Sequence, residues 1–448
     1  MKVGVIGQGY IGLPLALLIA STGVEVHGYD INRKLITDLL EGKPPFEEEG
    51  IKDLLKSLLG KFYFPTFNLD DLNGSDVVMI AVPTPLSESG PNLMFLRSAL
   101  EFAAKVLKKG GTIIVESTLP PGSKDKIIDW LHELGLEEGR DYHIAYCPER
   151  AMPGRLLKEL IWNTRIIGAD DEEAARISEG IYKRFVKGEI IRTSFSVAEV
   201  VKLVENTYRD VNIALANEIA RACEVLGVDY WEVMRLANRH PRVNLLRAGV
   251  GVGGSCLTKD PVFLYLASKD RGYEPNLLIH ARRVNADGPI RYAKQVYQLL
   301  LQTKNGYSSR KIAVLGVTYK GNVNDTRESP ARDFIRFFLR HGYMVSVFDP
   351  HTRETFGGTR AEDPYEAASG ADCVAILADH REFKELILDK LASLMTDPPI
   401  LFDGRGIFSR EAVKNSGVIY IGVGLPHHTE KTVMKAPLSL YPLNKKAI

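Results

Sequence analysis

Cys256 closes a glycine-dense turn, Gly251-Val252-Gly253-Gly254-Ser255-Cys256, and Leu257-Thr258-Lys259-Asp260 follows it. Most cysteines are inert and buried. One flanked by glycines and a lysine–aspartate pair reads instead as a reactive thiol. Far upstream, Gly7-Gln8-Gly9-Tyr10-Ile11-Gly12 has the spacing of a dinucleotide-binding turn. A nicotinamide cofactor oxidises an alcohol without any thiol. A thiol becomes useful when the resulting aldehyde must be held covalently and oxidised a second time. Together the two features point to conversion of a primary alcohol into a carboxylic acid.

Other candidates are spread along the chain. Lys202 and Asn206 are four apart on one helical face, with Arg209 a turn further on. A lysine beside a thiol can stabilise an oxyanion or move a proton. Taken alone, Lys202 reads better as a solvated surface residue. Arg239-His240-Pro241-Arg242 forms a basic turn that either clamps an anion or is a polar loop. Thr84 and Thr118 follow apolar strands, and each is either a ribose or reaction-centre contact or a turn residue. Lys320 and Arg327 near one strand end, and Arg405 near another, suit a nucleotide diphosphate.

The elements that must hold these groups fall into an α/β pattern. Lys2–Ile6 is a strand, the glycine turn opens a helix from about Leu13, and a second strand from Val24 to Tyr29 ends at Asp30. In this context Gly7 makes the turn, Gly9 admits a pyrophosphate and Gly12 lets helix and strand pack closely. Asp30 suits the ribose hydroxyls and would repel a 2′-phosphate, which favours NAD over NADP. Strands at 77–82, 111–116 and 142–146 follow, the last leading into Cys147-Pro148-Glu149-Arg150-Ala151-Met152-Pro153-Gly154.

Ser196–Glu199 has capping-box spacing, and a helical pattern continues to Gly227. About thirty residues make a rod of roughly 45 Å. Its apolar positions, Val200, Leu203, Val204, Val211, Leu215 and Ile219, cover more than one face, which suggests a domain linker that packs on a second subunit. Residues 302–310, with Asn305-Gly306, read as a connector. The αβ rhythm then restarts, with strands at 311–317, 343–348, 373–377, 399–402 and 418–423 and a helix at 329–341. Its first turn lacks GxGxxG.

Composition agrees with this plan. The chain has 448 residues, 45% hydrophobic and 25% charged, and exceeds one ordinary core. A net charge of +1 gives no reason to expect nucleic acid or an acidic membrane surface. Cys147, Cys223, Cys256 and Cys373 form no CxxC pair, which argues against a zinc site and a disulfide framework and suits a reducing cytoplasm. The apolar stretch 11–20 is too short to span a bilayer.

In order along the chain, the segments 7–16, 82–85, 117–122, 147–154, 198–218, 251–261, 316–330 and 403–405 resemble the nucleotide-sugar 6-dehydrogenase family, the UDP-glucose/GDP-mannose dehydrogenases. The resemblance implies two Rossmann-like doubly wound domains joined by a helical middle domain with a long central helix. Residues 1–195 would bind NAD, 196–300 would form the homodimer, and 301–448 would bind the UDP-sugar.

By the same resemblance Cys256 is the nucleophile, passing through a thiohemiacetal and a thioester. Lys202 and Asn206 hold the C6 oxygen, Asp260 positions water or takes a proton, Glu149 assists hydrolysis and Thr118 holds a water. Gly7, Gly9, Tyr10, Ile11, Gly12, Asp30, Arg33, Thr84, Thr118 and Arg327 would contact NAD. Glu149, Arg150, Lys202, Asn206, Arg209, His240, Arg242, Gly253, Tyr319, Lys320 and Arg405 would contact the UDP-sugar. No metal is implied.

The stretches 147–154, 206–209 and 238–244 look most like the UDP-N-acetylmannosamine branch. Ser255 and Lys259 depart from it toward UDP-glucose enzymes, so UDP-N-acetylglucosamine and UDP-glucose stand as alternatives. A non-catalytic nucleotide-sugar or NAD sensor would have no use for Cys256 and Lys202. A simple two-electron dehydrogenase needs no thiol.

Overall fold

The computed structural model describes residues 1–152, 154–304 and 309–426. Pro153 and the Asn305-Gly306 part of the expected connector lie outside them. Contacts divide the chain into two compact units. The first is Met1–Glu205 with Phe263–Glu274, and the second is Asn206–Val262 with the residues from Pro275 onward.

The first unit is built on an eight-stranded sheet. From one edge its strands are Ile190–Thr193, Arg165–Gly168, Tyr142–Tyr146, Leu107–Val115, Ser75–Ile80, Lys2–Ile6, Glu25–Tyr29 and Tyr63–Thr66. All neighbours are parallel except the Tyr146–Gly168 pairing. The first six strands in chain order therefore have the doubly wound dinucleotide-binding arrangement, with the order reversing beside Lys2–Ile6. The helix Gly12–Ala20 is buried at all nine positions, which explains its near-continuous apolar sequence.

The second unit repeats the arrangement with six parallel strands. Their order is Thr359–Arg360, Met344–Phe348, Lys311–Leu315, Cys373–Ile376, Ile400–Asp403 and Ile419–Gly422. Ser329 caps the following helix, Pro330–Arg340, through the Ala331 N–H. In chain order, the segment after the first sheet's strands and before the second's is helical, with helices Phe195–Leu226, Tyr230–Ala237, Asp260–Lys269 and Asn276–Thr303. Among the described residues no helix is long and apolar enough to cross a membrane.

One expectation about the long helix is corrected. It begins at Phe195, so Ser196 is not its cap; the Ser194 hydroxyl accepts the Val197 N–H instead, at 3.3 Å. Glu199, the supposed partner in a capping box, is buried and caps a different helix, Ser123–Glu133. Its carboxylate accepts the N–H groups of Gly122, Ser123 and Lys124 at 2.8, 3.0 and 3.2 Å. Local spacing cannot distinguish the two partners, because both satisfy the same need for an acceptor at a helix start.

Replacing Glu199 with alanine strands three donors in a buried place. The expected cost is about 1–3 kcal/mol in urea unfolding. A stability equal to wild type would show that water replaces the carboxylate.

Candidate active site

In the first unit the glycine turn has the required geometry. Gly7 has φ +93°, and a Cβ there would come 2.4 Å from the Ala81 carbonyl oxygen. A Cβ on Gly12 would lie 1.8 Å from the Gly7 oxygen, so only glycine lets the helix start so close to the strand. Above Gly9 there is nothing within 4 Å, leaving the backbone approachable by a phosphate. Asp30 accepts the Gln8 N–H at 2.8 Å on one oxygen and the Asn32 N–H at 2.9 Å on the other. It locks the turn to the second strand and stays partly exposed, with lone pairs left for ribose hydroxyls. These residues fit NAD.

The remaining cofactor candidates are placed around this turn. Ile11 immediately precedes the helix. The Tyr10 hydroxyl donates to Glu48 at 2.9 Å, and Glu48 accepts the N–H groups of Gly154 and Leu156. Arg33 stacks over Phe67 at 5.0 Å. Thr84 is buried and donates to the Thr118 carbonyl at 2.8 Å, so its hydroxyl braces the second loop. Ser117 clamps the same two loops by accepting the Val82 N–H and donating to the Val82 carbonyl.

Glu149 and Lys202 are both buried, which overturns the reading of Lys202 as a solvated residue. Burial pushes the Glu149 carboxyl above its ordinary range, and the charges of Lys202 and Arg165 oppose that rise. The Lys202 side chain thus lies buried within electrostatic reach of Glu149. Cys147, two residues earlier, is a core thiol pushed up to about 12 by burial. Arg150 turns its guanidinium to protein: Nε and Nη2 pair with Glu205 at 2.9 and 2.5 Å, and Nη1 donates to the Thr164 carbonyl at 2.8 Å. Its geometry is that of a brace for the Glu149 loop.

Sequence reasoning missed the brace behind that loop. Arg165 pairs with buried Glu116, and its Nη2 also donates to the Cys147 carbonyl at 3.0 Å. An arginine opening a β-strand gives no local signal of this task.

In the second unit the glycine-rich turn packs under Tyr319 and the 327–328 backbone. A Cβ on Gly253 would come 2.5 Å from the Glu328 oxygen and 2.7 Å from the Tyr319 Cβ. The Gly254 N–H donates to the Arg327 carbonyl at 2.9 Å. Cys256 follows at the foot of the helix Asp260–Lys269, with the Asp260 N–H donating to its carbonyl at 2.9 Å. Asn206 reaches Asp260 by a buried hydrogen bond of 2.6 Å. Of the four cysteines only Cys256 is exposed.

The basic groups of this unit are arranged as follows. Burial pushes the Tyr319 hydroxyl up, and the charges of Arg327 and Arg209 oppose it. Arg327 is tied to Asp325 through Nε and Nη2, at 2.9 and 2.6 Å. Lys320 is half-buried in the same loop. Arg405 pairs with Asp379 at 3.1 Å, and its carbonyl accepts from Arg247, a further cation that the sequence did not single out. His240 and Arg242 lie on an exposed turn.

The comparisons with known proteins cover nearly the whole chain. Models of the UDP-glucose/GDP-mannose dehydrogenase family match residues 1–186 (NAD binding domain), 196–287 (central domain) and 313–410 (UDP binding domain). A UDP-N-acetyl-D-mannosamine dehydrogenase of Pyrococcus horikoshii is 42% identical over 95% of this chain and 99% of its own. One from Methanococcus maripaludis is 39% identical over 93% and 95%. The solved structure of the UDP-D-ManNAc dehydrogenase from P. horikoshii superposes with a TM-score of 0.89 at 41% identity, covering 95% of this chain and 99% of that one.

Native protein treated with iodoacetamide is expected to be alkylated at Cys256 alone, as read by peptide mass spectrometry. Comparable modification of Cys147, Cys223 or Cys373 would contradict the burial that separates them.

Proposed function

The chain belongs to the UDP-glucose/GDP-mannose dehydrogenase family and is an NAD-dependent UDP-sugar dehydrogenase, and we propose that it oxidises UDP-N-acetyl-D-mannosamine at C6 to UDP-N-acetyl-D-mannosaminuronate. The similarity to UDP-N-acetyl-D-mannosamine dehydrogenases over more than nine-tenths of the chain supports that substrate. The observation that carries the mechanism is the exposed thiol of Cys256 at a helix start, in a loop anchored by the Asn206–Asp260 bond.

NAD, when bound, would supply the hydride acceptor for two oxidations, and in each the proton of the C6 hydroxyl leaves to water. The chain's own residues do the rest. Lys202 and Asn206 hold the C6 oxygen, and Lys202 balances the charge that develops on it. The Cys256 sulfur adds to the aldehyde carbon, and the oxygen takes a proton. Loss of the second hydride leaves a thioester. Water held by Thr118 and Asp260 adds to the thioester carbon while Glu149 takes its proton. The carbon–sulfur bond breaks, returning the thiol and releasing the carboxylate.

Gly7, Gly9, Tyr10, Ile11, Gly12, Asp30, Arg33 and Thr84 frame the cofactor, with Arg327 at the boundary with the nucleotide. Tyr319, Lys320 and Arg405 hold the UDP, and Gly253 contributes to the same UDP-sugar site. Arg209, with Arg242 and His240, reads the sugar or its phosphates.

The domain roles follow as 1–195 for NAD, 196–300 for linkage and dimerisation and 301–448 for UDP-sugar. A homodimer is supported by Val197, Val200, Val204, Tyr208 and Leu215, which form an exposed apolar stripe along the long helix. The scattered cysteines fit a cytoplasmic setting. A second reading, UDP-glucose or UDP-N-acetylglucosamine as substrate, rests on Ser255 and Lys259 beside the nucleophile.

Purified protein with NAD and UDP-N-acetyl-D-mannosamine is expected to form two equivalents of NADH per sugar, faster than with UDP-glucose, UDP-N-acetylglucosamine or GDP-mannose. A preference for another sugar overturns the substrate. Cys256→Ser should lower acid production on the order of a thousandfold, and normal acid output from that variant removes the covalent route. Because burial raises the Glu149 carboxyl, it stays protonated, and useless as a base, to higher pH than an ordinary glutamate. The acid limb of kcat should therefore lie above the usual glutamate range of about 4.3 and should vanish in Glu149→Gln. A limb that persists in that variant assigns it to another group.

A further inference from the structure

Asp210 lies one turn beyond Asn206 on the long helix and is fully buried, yet the reaction scheme does not use it. A buried carboxylate persists only where an opposite charge and donors compensate its desolvation. Arg282 supplies the charge, with Nη1 2.5 Å from Oδ1. Asn285 Nδ2 donates to the same oxygen at 2.8 Å and to the Asp210 carbonyl at 3.0 Å. Asn285 is itself held, because its Oδ1 accepts from Asn217 Nδ2 at 2.9 Å, and the Asn217 Oδ1 accepts the Gly249 N–H at 2.9 Å.

The chain of contacts ends at the nucleophile loop. The same Arg282 Nη1 donates to the Leu257 carbonyl at 3.2 Å. The preceding carbonyl, that of Cys256, is occupied by the N–H groups of Lys259 and Asp260 at 3.2 and 2.9 Å. The carbonyls of Cys256 and Leu257 are thus both engaged. We propose that Arg282, held in place by Asp210, is a positioning residue that sets the backbone of Cys256 so that the sulfur meets the reacting carbon. This rests on Cys256 being the nucleophile. An error of about 1 Å in such placement can cost on the order of a hundredfold in rate.

A purely structural ion pair would behave differently. Removing one partner leaves a buried charge and destabilises the fold, whereas replacing both with apolar side chains of similar size can leave stability intact. The test uses full-length Arg282→Met/Asp210→Leu, Asp210→Asn and Cys256→Ser, each assayed with NAD and UDP-N-acetyl-D-mannosamine. The double variant should melt within a few degrees of wild type and keep both KM values within about twofold. Its kcat should fall on the order of tenfold to a hundredfold. The rate of Cys256 alkylation by iodoacetamide at a fixed pH should also change.

A folded double variant with wild-type kcat or an unaltered alkylation rate overturns the proposal. If that variant does not fold, Asp210→Asn, which keeps the shape and the Asn285 contacts, decides on the same readouts. Cys256→Ser separates the two levels. Full acid production there would mean that the nucleophile assignment has failed, whereas a dead Cys256→Ser beside a normal double variant would mean that only the positioning role has failed.

Discussion

Buried polar groups on successive turns of the helix Phe195–Leu226 anchor most of what surrounds them. Glu199 is spent on the start of another helix, Asn206 on Asp260, and Asp210 on Arg282 and Asn285. Each is out of water and would cost several kcal/mol unpaired. Each pairing fixes the turn of the helix that carries it, while Val197, Val200, Val204, Tyr208 and Leu215 stay exposed.

The two sheets show one solution to nucleotide binding put to two uses. In each, an aspartate ending the second strand accepts N–H groups from the turn after the first: Asp30 from Gln8, and Asp349 from Val317 at 2.7 Å. Asp30 remains partly open. Asp349 is closed over by His380, whose Nε2 lies 3.1 Å from it, while the His380 Nδ1 accepts the Asn322 N–H at 2.9 Å. With both ring nitrogens engaged, His380 braces the loop carrying Tyr319 and Lys320, and the acid that would otherwise face a ribose becomes part of the frame. The loss of GxGxxG from the second sheet and the burial of its acid are consistent with each other.

Reactive and inert versions of one side chain are separated by the same means. Cys147 stands two residues before Glu149. Burial raises its thiol, whereas the Cys256 turn is held open by glycines that let other backbone pass closely beneath it. Lys202 illustrates the converse. A lysine on a helix is ordinarily solvated, and here the neighbouring acid makes its burial tolerable.

The amino-acid order alone determined the αβ rhythm, the glycine turn with its acid, the long helix and the identity of the exposed thiol's loop. These depend on contacts within a few residues, where hydrophobic period and glycine spacing act directly. Only the tertiary structure decided which partner each charge would take. Glu199 serves a helix start more than seventy residues away, Arg150 turns to Glu205, and Arg282 reaches both Asp210 and the carbonyl beside Cys256. A charged side chain carries no local mark of its partner. The pairing is set by which groups folding removes from water together, and that is a property of the packed chain.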